Sequence, residues 1–396
     1  MNTPLFFFRP RGFSLIELMV SIVVGMLAIM FATKLVISSE QNKNASIGGS
    51  DSMQNGMLAM FSISKDAGQA GWGLNDPLIA GCDTLMIDND GFQLATVSRG
   101  GATAQPLAAA VIVPGATATA PDTLYLYSGT SMSGSGNVRL NNSVAVGGTS
   151  LVAGAPTYGF NPGDVVVLAP ETVGTQCSVA QVTANDVVLS TLTIATGTGD
   201  SNRFNGSGLK LGYGGSLSRV FDLGPGDALS LHAWSVKNGF LQLQASDMGV
   251  AAGNATTVAD NIVSIKAEYG FDTRAAANFA PANGMVIGQW SRQMIDADAD
   301  GVVGGAGDYQ RVAALRIAVI ARSKNPDKPN AAGTCAAGAA LTVFGSAEPT
   351  GVAAASIVLN PADLAVTGDT ISPTCYHYRA FETIVPLRNT GWRPSE

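Results

Sequence analysis

Few residues in this chain have a type and spacing that could do chemistry. Histidine occurs only at His232 and His377. Neither sits beside a serine or cysteine in a pattern that makes a nucleophile, and no G-x-S-x-G turn is present. The glycine-rich "GSGLKLG" beginning at Gly206 lacks the G-x-G-x-x-G spacing and precedes no predicted helix, so it reads as a turn. Cys82, Cys177, Cys335 and Cys375 form no C-x-x-C pair, which argues against zinc. An even number of cysteines in an exported chain reads as two disulfides. Four cysteines allow three connectivities; proximity in sequence favours Cys82–Cys177 and Cys335–Cys375. The remaining candidate is acidic. Asp296, Asp298 and Asp300 recur at every second position and Gly301 follows, a spacing in which alternate carboxylates converge on calcium and the glycine permits the turn. The position that would complete such a loop holds Gly307, and Asp308 comes one residue too late. An exposed acidic turn between two strands fits the same residues. The chain therefore reads as a non-enzyme with no cofactor beyond a structural calcium at Asp296, Asp298 and Asp300.

One more carboxylate stands out, Glu17 in "RPRGFSLIELMVSIVVGMLAIMFATKLVISS". The run from Phe13 to Ile37 would be roughly 38 Å long as a helix at 1.5 Å per residue, enough to cross a bilayer. An unpaired acid there costs a few kcal/mol even on lenient insertion scales. Arg9 and Arg11 precede the run and should stay cytoplasmic, which puts the rest of the chain outside the inner membrane. No small-residue cleavage site follows the run, so an ordinary secretory signal is a poor description. A plain signal anchor would not explain the acid.

The words "GFSLIELMVSIVVGMLAIM" resemble the class III signal of type IV pilins and type II secretion pseudopilins. The resemblance implies that a prepilin peptidase cuts after Gly12, that Phe13 becomes the N-terminal residue and is N-methylated, and that Glu17 is the fifth mature residue. Cleavage leaves a cationic amine on Phe13. A carboxylate one turn along can pair with that amine or with that of a neighbouring subunit, which makes a buried charge tolerable. Glu17 then reads as an assembly contact. Losing the leader also removes two positive charges, taking the net charge from -7 to -9 (-7 minus 2).

Beyond the membrane run, Met53, Met57, Met60, Phe61 and Ser64 recur at helical spacing and predict an apolar stripe packed on a sheet. Gly68, Gly71 and Gly73 then break the helix. From Gly73 onward the pattern is β-rich. "DTLYLYSG", "GDVVVLAP", "SVAQVTANDVVLSTLTI", "ALSLHAWSVKNGFLQLQ", "NIVSIKAEYGFD" and "VAALRIAVIARS" are apolar or alternating runs bounded by turn residues. Asn238-Gly239 between two such runs predicts a hairpin. Residues 100–121 and 331–356, rich in Ala and Gly, predict long loops or insertions. Only 13% of the chain is charged, and its net charge is acidic with no basic cluster, which excludes a nucleic-acid footprint.

"KDAGQAGW" followed by "IAGCD", "NPGDVVVLAP" ahead of Cys177, "IARS" and the terminal "YRAFETIVPLRN" are similar to the PilW family of minor pilins. The expected fold is α+β and pilin-like. A leader would cover residues 1–12 and a long N-terminal helix 13–66, spanning the membrane over 13–37. A large antiparallel β-rich domain would follow over 67–396. The resemblance implies a minor pilin that helps initiate type IV pilus assembly, sits at the pilus tip and supports twitching motility. It also implies partners: other minor pilins and the major pilin, the prepilin peptidase, the inner-membrane assembly platform and a tip adhesin. The chain would lie in the inner membrane with its globular domain periplasmic, then at the tip after assembly. Two alternatives stand beside this: a type II secretion pseudopilin of the J kind, and a tip adhesin or receptor pilin.

Overall fold

A computed structural model describes residues 14–131, 136–247, 254–333, 335–336, 338–353 and 355–391. The long helix runs over Leu15–Gln69. Its chain divides between two compact units, residues 1–51 and 52–396. In the first unit, Leu15–Glu40 is long and apolar enough to cross a membrane, and its side chains are largely exposed.

The second unit contains the last turns of the helix and all the strands. Its helical stretch buries Ser52, Gly56, Ala59, Ile63 and Ala67, a series at spacings of three and four that traces one face. The predicted stripe is on the other side. Met53, Met57 and Phe61 are exposed, and Met60 is only partly buried. The physical reason is distance: a Cβ on Gly56 would overlap the Phe381 ring, so the helix lies too close to the sheet for methionines. Gly68 does not end the helix; it lies inside it, exposed. The break comes at Gly71 and Gly73, both with positive φ (87° and 73°).

Three larger sheets follow. The five-stranded sheet has the spatial order Thr256–Asp260, Phe240–Ala245, Ser230–Lys237, Thr123–Ser128, Ala110–Val113, all antiparallel. The turn at Asn238-Gly239 joins two of these strands with both residues at positive φ, as the sequence predicts. The four-stranded sheet has the order Gln289–Ser291, Ile262–Phe271, Val312–Arg322, Tyr378–Pro386. Its two central strands are buried almost end to end, which accounts for their near-continuous apolar runs. The six-stranded sheet has the order Pro106–Leu107, Cys82–Leu85, Gln176–Gln181, Asp164–Pro170, Ser218–Pro225, Asn137–Arg139. Here Cys82–Leu85 and Gln176–Gln181 run parallel, the one exception among the described residues to an otherwise antiparallel arrangement. The 100–121 stretch is not simply a loop: it supplies Ala110–Val113, a buried edge strand. Short β-branched and Ala-rich strands of this kind give little sequence contrast with a loop.

The main core joins the helix to two sheets. Ala59, Ile63 and Ala67 pack with Leu124, Leu126, Trp234 and Leu241 of the five-stranded sheet and with Ile265, Tyr269, Leu315 and Ile317 of the four-stranded one. A second core surrounds Cys82 and Cys177. The opposite face of the four-stranded sheet is covered by the pair Leu341–Val343 and Ile357–Leu359, the first within the second predicted insertion and the second directly after it.

Candidate functional site

The N-terminal segment carries the residues expected to act in assembly. Gly12 and Phe13, the expected cleavage and methylation residues, lie outside the described residues. Glu17 is exposed in the first turn of the helix, amid exposed apolar side chains that include Leu15, Ile16, Leu18 and Met19. An acid near a helix N-terminus is favoured by the helix dipole. In a membrane it still needs a cation, and a helix covered in apolar side chains offers that face to other helices.

In the second unit, the helix is tied to the sheets by a polar cluster that no sequence pattern disclosed. His232, on Ser230–Lys237, bonds through Nδ1 to Asp66 Oδ1 at 2.9 Å and through Nε2 to Asp247 Oδ1 at 3.2 Å. Trp234 Nε1–H donates to the other Asp66 oxygen at 2.5 Å. Burial alone would depress the imidazole, but the hydrogen bonds and charges of Asp247 and Asp66 outweigh it and raise its pKa to about 9. Both ring nitrogens are therefore protonated at neutral pH and donate. Ser230 Oγ also lies 3.1 Å from Nε2. An imidazolium already protonated on both nitrogens cannot take the serine proton, so the Ser-His-Asp geometry is a structural clamp. The residues are separated by 166 positions, so only the fold brings them together.

Both disulfides follow the nearest-neighbour pairing: Cys82 with Cys177 and Cys335 with Cys375. The first links the two parallel strands of the six-stranded sheet across 95 residues. The second ties the 331–356 insertion to the chain just before Tyr378–Pro386. Each closes a loop whose unfolded-state entropy it restricts, a contribution of about 2–4 kcal/mol.

The acidic loop differs from its predicted form. Oxygens of Asp296, Asp298 and Asp308 lie within 4.8 Å of one another; Asp300 is not in this group. The Asp300 carboxylate instead accepts the Val302 N–H at 2.7 Å and caps the turn. Asp308 is fully buried and accepts from the N–H groups of Ala297, Asp298, Gly304 and Gly305. Burial, with the charge of Asp298, holds its pKa above the ordinary value, against the lowering effect of the Ala297, Asp298 and Gly304 N–H groups. Asp298 is raised as well, by burial first and then by the charges of Asp300 and Asp296. Gly307 leaves the room this needs, because a Cβ there would collide with the Asp298 carboxylate. The arrangement could hold a calcium ion with Asp308 as the third carboxylate. Its signal in the sequence was the acid one residue beyond the expected position.

A family model described as type IV pilus-assembly protein W matches residues 236–389, which span the entire four-stranded sheet and the second disulfide. A second, the prokaryotic N-terminal methylation motif, matches residues 8–33 and so brackets Gly12, Phe13 and Glu17. Comparison with curated proteins and with solved structures gave no match. The pilin family that these two models describe is structural rather than catalytic. A methylation motif on an apolar helix and a PilW match over residues 236–389 together support a type IV minor pilin of the PilW family.

Proposed function

We propose that this minor pilin takes part in priming the assembly of a type IV pilus and occupies the pilus tip, supporting twitching motility. The observation that carries the reading is the size of the head attached to a pilin helix: residues 52–396 form one compact unit. A subunit inside a repeating fibre packs against neighbours on every side, whereas one at the tip has a free side and can carry bulk. The helix would join those of other minor pilins in the inner membrane, with Glu17 pairing to a terminal amine as the assembly platform builds major pilin beneath. Its globular domain would lie in the periplasm until then, and a tip adhesin is a further partner of the same end.

The test is a chromosomal deletion, complemented by wild type, Gly12→Val or Glu17→Val. Deletion should greatly reduce surface pili and twitching while major pilin accumulates in the inner membrane. Glu17→Val should insert in the membrane normally and fail to support piliation; Gly12→Val should retain its leader by mass spectrometry. Normal piliation with defective exoprotein secretion would instead assign the chain to a type II system. Wild-type piliation by Glu17→Val would overturn the pairing role.

A further inference from the structure

A pocket of about 920 Å³ opens on the outer face of the four-stranded sheet. Its wall is built from three segments without an assigned role: residues 114–118, the edge strand Gln289–Ser291 with Arg292 and Gln293 after it, and residues 355–358. Both Ala/Gly-rich stretches of the sequence thus contribute to one concavity. Glu268, in the middle of Ile262–Phe271, lines its inner end.

Glu268 is unusual. It is 0% exposed, and neither carboxylate oxygen has a hydrogen-bond partner among the described residues. Leaving such a group unsatisfied costs a few kcal/mol, so an arrangement that keeps it needs a reason. Arg292, in the same wall, gives one nitrogen to Asp122 at 2.9 Å, while its Nε–H is buried without an acceptor among the described residues. Two acceptors and a donor are thus left open around one pocket.

The surrounding charges define what could fill it. Lys266 and Arg292 are matched by Asp122 and Arg316 by Glu382, while burial raises the Glu268 pKa to about 7, so that group is part neutral at neutral pH. A cationic ligand would meet the Arg292 guanidinium, and an anionic one the Glu268 carboxyl. A neutral ligand meets neither obstacle. It must donate to a carboxylate and accept from a guanidinium at adjacent positions, which is what neighbouring hydroxyl groups do. Thr117, Ser291 and Gln293 add polar partners along the wall, and Pro114, Trp290 and Val358 supply apolar surface for a C–H face. We propose that this pocket binds a neutral saccharide, with adjacent hydroxyls engaging Glu268 and Arg292. Glu268 has no surface open to water, so its engagement requires the side chains around it to part.

The detergent-solubilised full chain can be titrated calorimetrically with glucose, galactose, mannose and N-acetylglucosamine, with glucosamine and N-acetylneuraminic acid as charged controls. At least one neutral sugar should bind saturably at millimolar concentration, and more tightly than either charged control. Glu268→Gln replaces one of the two carboxyl oxygens with an amide donor and should weaken binding about tenfold or more. Ala116→Trp changes an exposed residue of the rim, so it should leave the fold intact and block the pocket. Saturation by no neutral sugar, preference for a charged one, or unchanged affinity in either variant would overturn the proposal.

Discussion

Raising the pH should loosen the clamp between the helix and the five-stranded sheet. His232 is mostly buried, at 14% side-chain exposure, and its pKa stands at about 9 against an ordinary 6.5. A group bound more tightly by its proton in the folded state stabilises the fold fully below its unfolded pKa. That contribution is lost as pH climbs from about 6.5 through about 9. At 1.36 kcal/mol per pH unit, the imidazolium is worth on the order of 3 kcal/mol in mildly acidic solution. The perturbation that isolates it is His232→Gln. At about pH 6 the variant should be less stable by on the order of 2–3 kcal/mol, and the gap should narrow toward about pH 10. Denaturant melts read by tryptophan fluorescence suit the purpose, because Trp234 donates to the same Asp66 carboxylate and reports the clamp directly. Other groups titrate in this range, so the difference between variant and wild type is the quantity to compare. The Hε1 proton resonance of His232 gives an independent measure of its protonation. A gap that stays constant with pH, or a midpoint near 6.5, would refute the charged clamp.

Two glycines of the helix should respond to alanine with opposite signs. Gly68 has open space around its would-be Cβ, so Gly68→Ala should stabilise by about 0.5–1 kcal/mol; Gly56→Ala should destabilise by about 1–3 kcal/mol, because Phe381 must move. Thermal melts of both variants check this, and a common sign would contradict the close approach. Millimolar calcium should raise the melting temperature, since a cation relieves repulsion among Asp296, Asp298 and Asp308. Asp298→Asn should abolish the rise and Asp300→Asn should leave it; identical melting with and without calcium would leave only a turn.

Much of the architecture was legible because it rests on local rules. The apolar run around Glu17, the Asn238-Gly239 turn and the unbroken apolar runs of Ile262–Phe271 and Val312–Arg322 each announce their element. Nearest-neighbour cysteines gave the observed pairing. The helix face was misread because periodicity marks two stripes and hydrophobicity favours the methionines. What decided between them was the approach of Phe381, more than three hundred residues away. Long-range partnership hid the rest. Nothing near His232 points to Asp66, and nothing near Asp300 says that its carboxylate will cap a turn while Asp308 folds back. "SIKAEYG" was hardest: Ser264, Lys266 and Glu268 alternate as on a solvated strand face, yet all three are fully buried. Alternation fixes which side a residue is on, and the segments packed over that side decide whether it meets water.

The attachment of the helix follows from these contacts. Gly56 seats residues 52–69 against the strand Tyr378–Pro386; Asp66 binds His232 and Trp234 of the five-stranded sheet; Asn389 donates to the carbonyls of Gln69 and Ala70 at 2.9 and 3.1 Å. Three contacts therefore reach one short helical stretch from separate parts of the chain, and the apolar face of Ala59, Ile63 and Ala67 lies between them. Two of the three are polar and sit near the helix end, where backbone carbonyls lack intrahelical partners. A subunit that enters a fibre by its helix carries load through this junction. Apolar packing resists separation of the two surfaces but yields more readily to sliding, because it has no directional preference. Directional hydrogen bonds at Asp66 and Asn389 fix the register that packing leaves soft. On that argument, loss of the His232 charge would leave the head attached and free the helix end to shift along it.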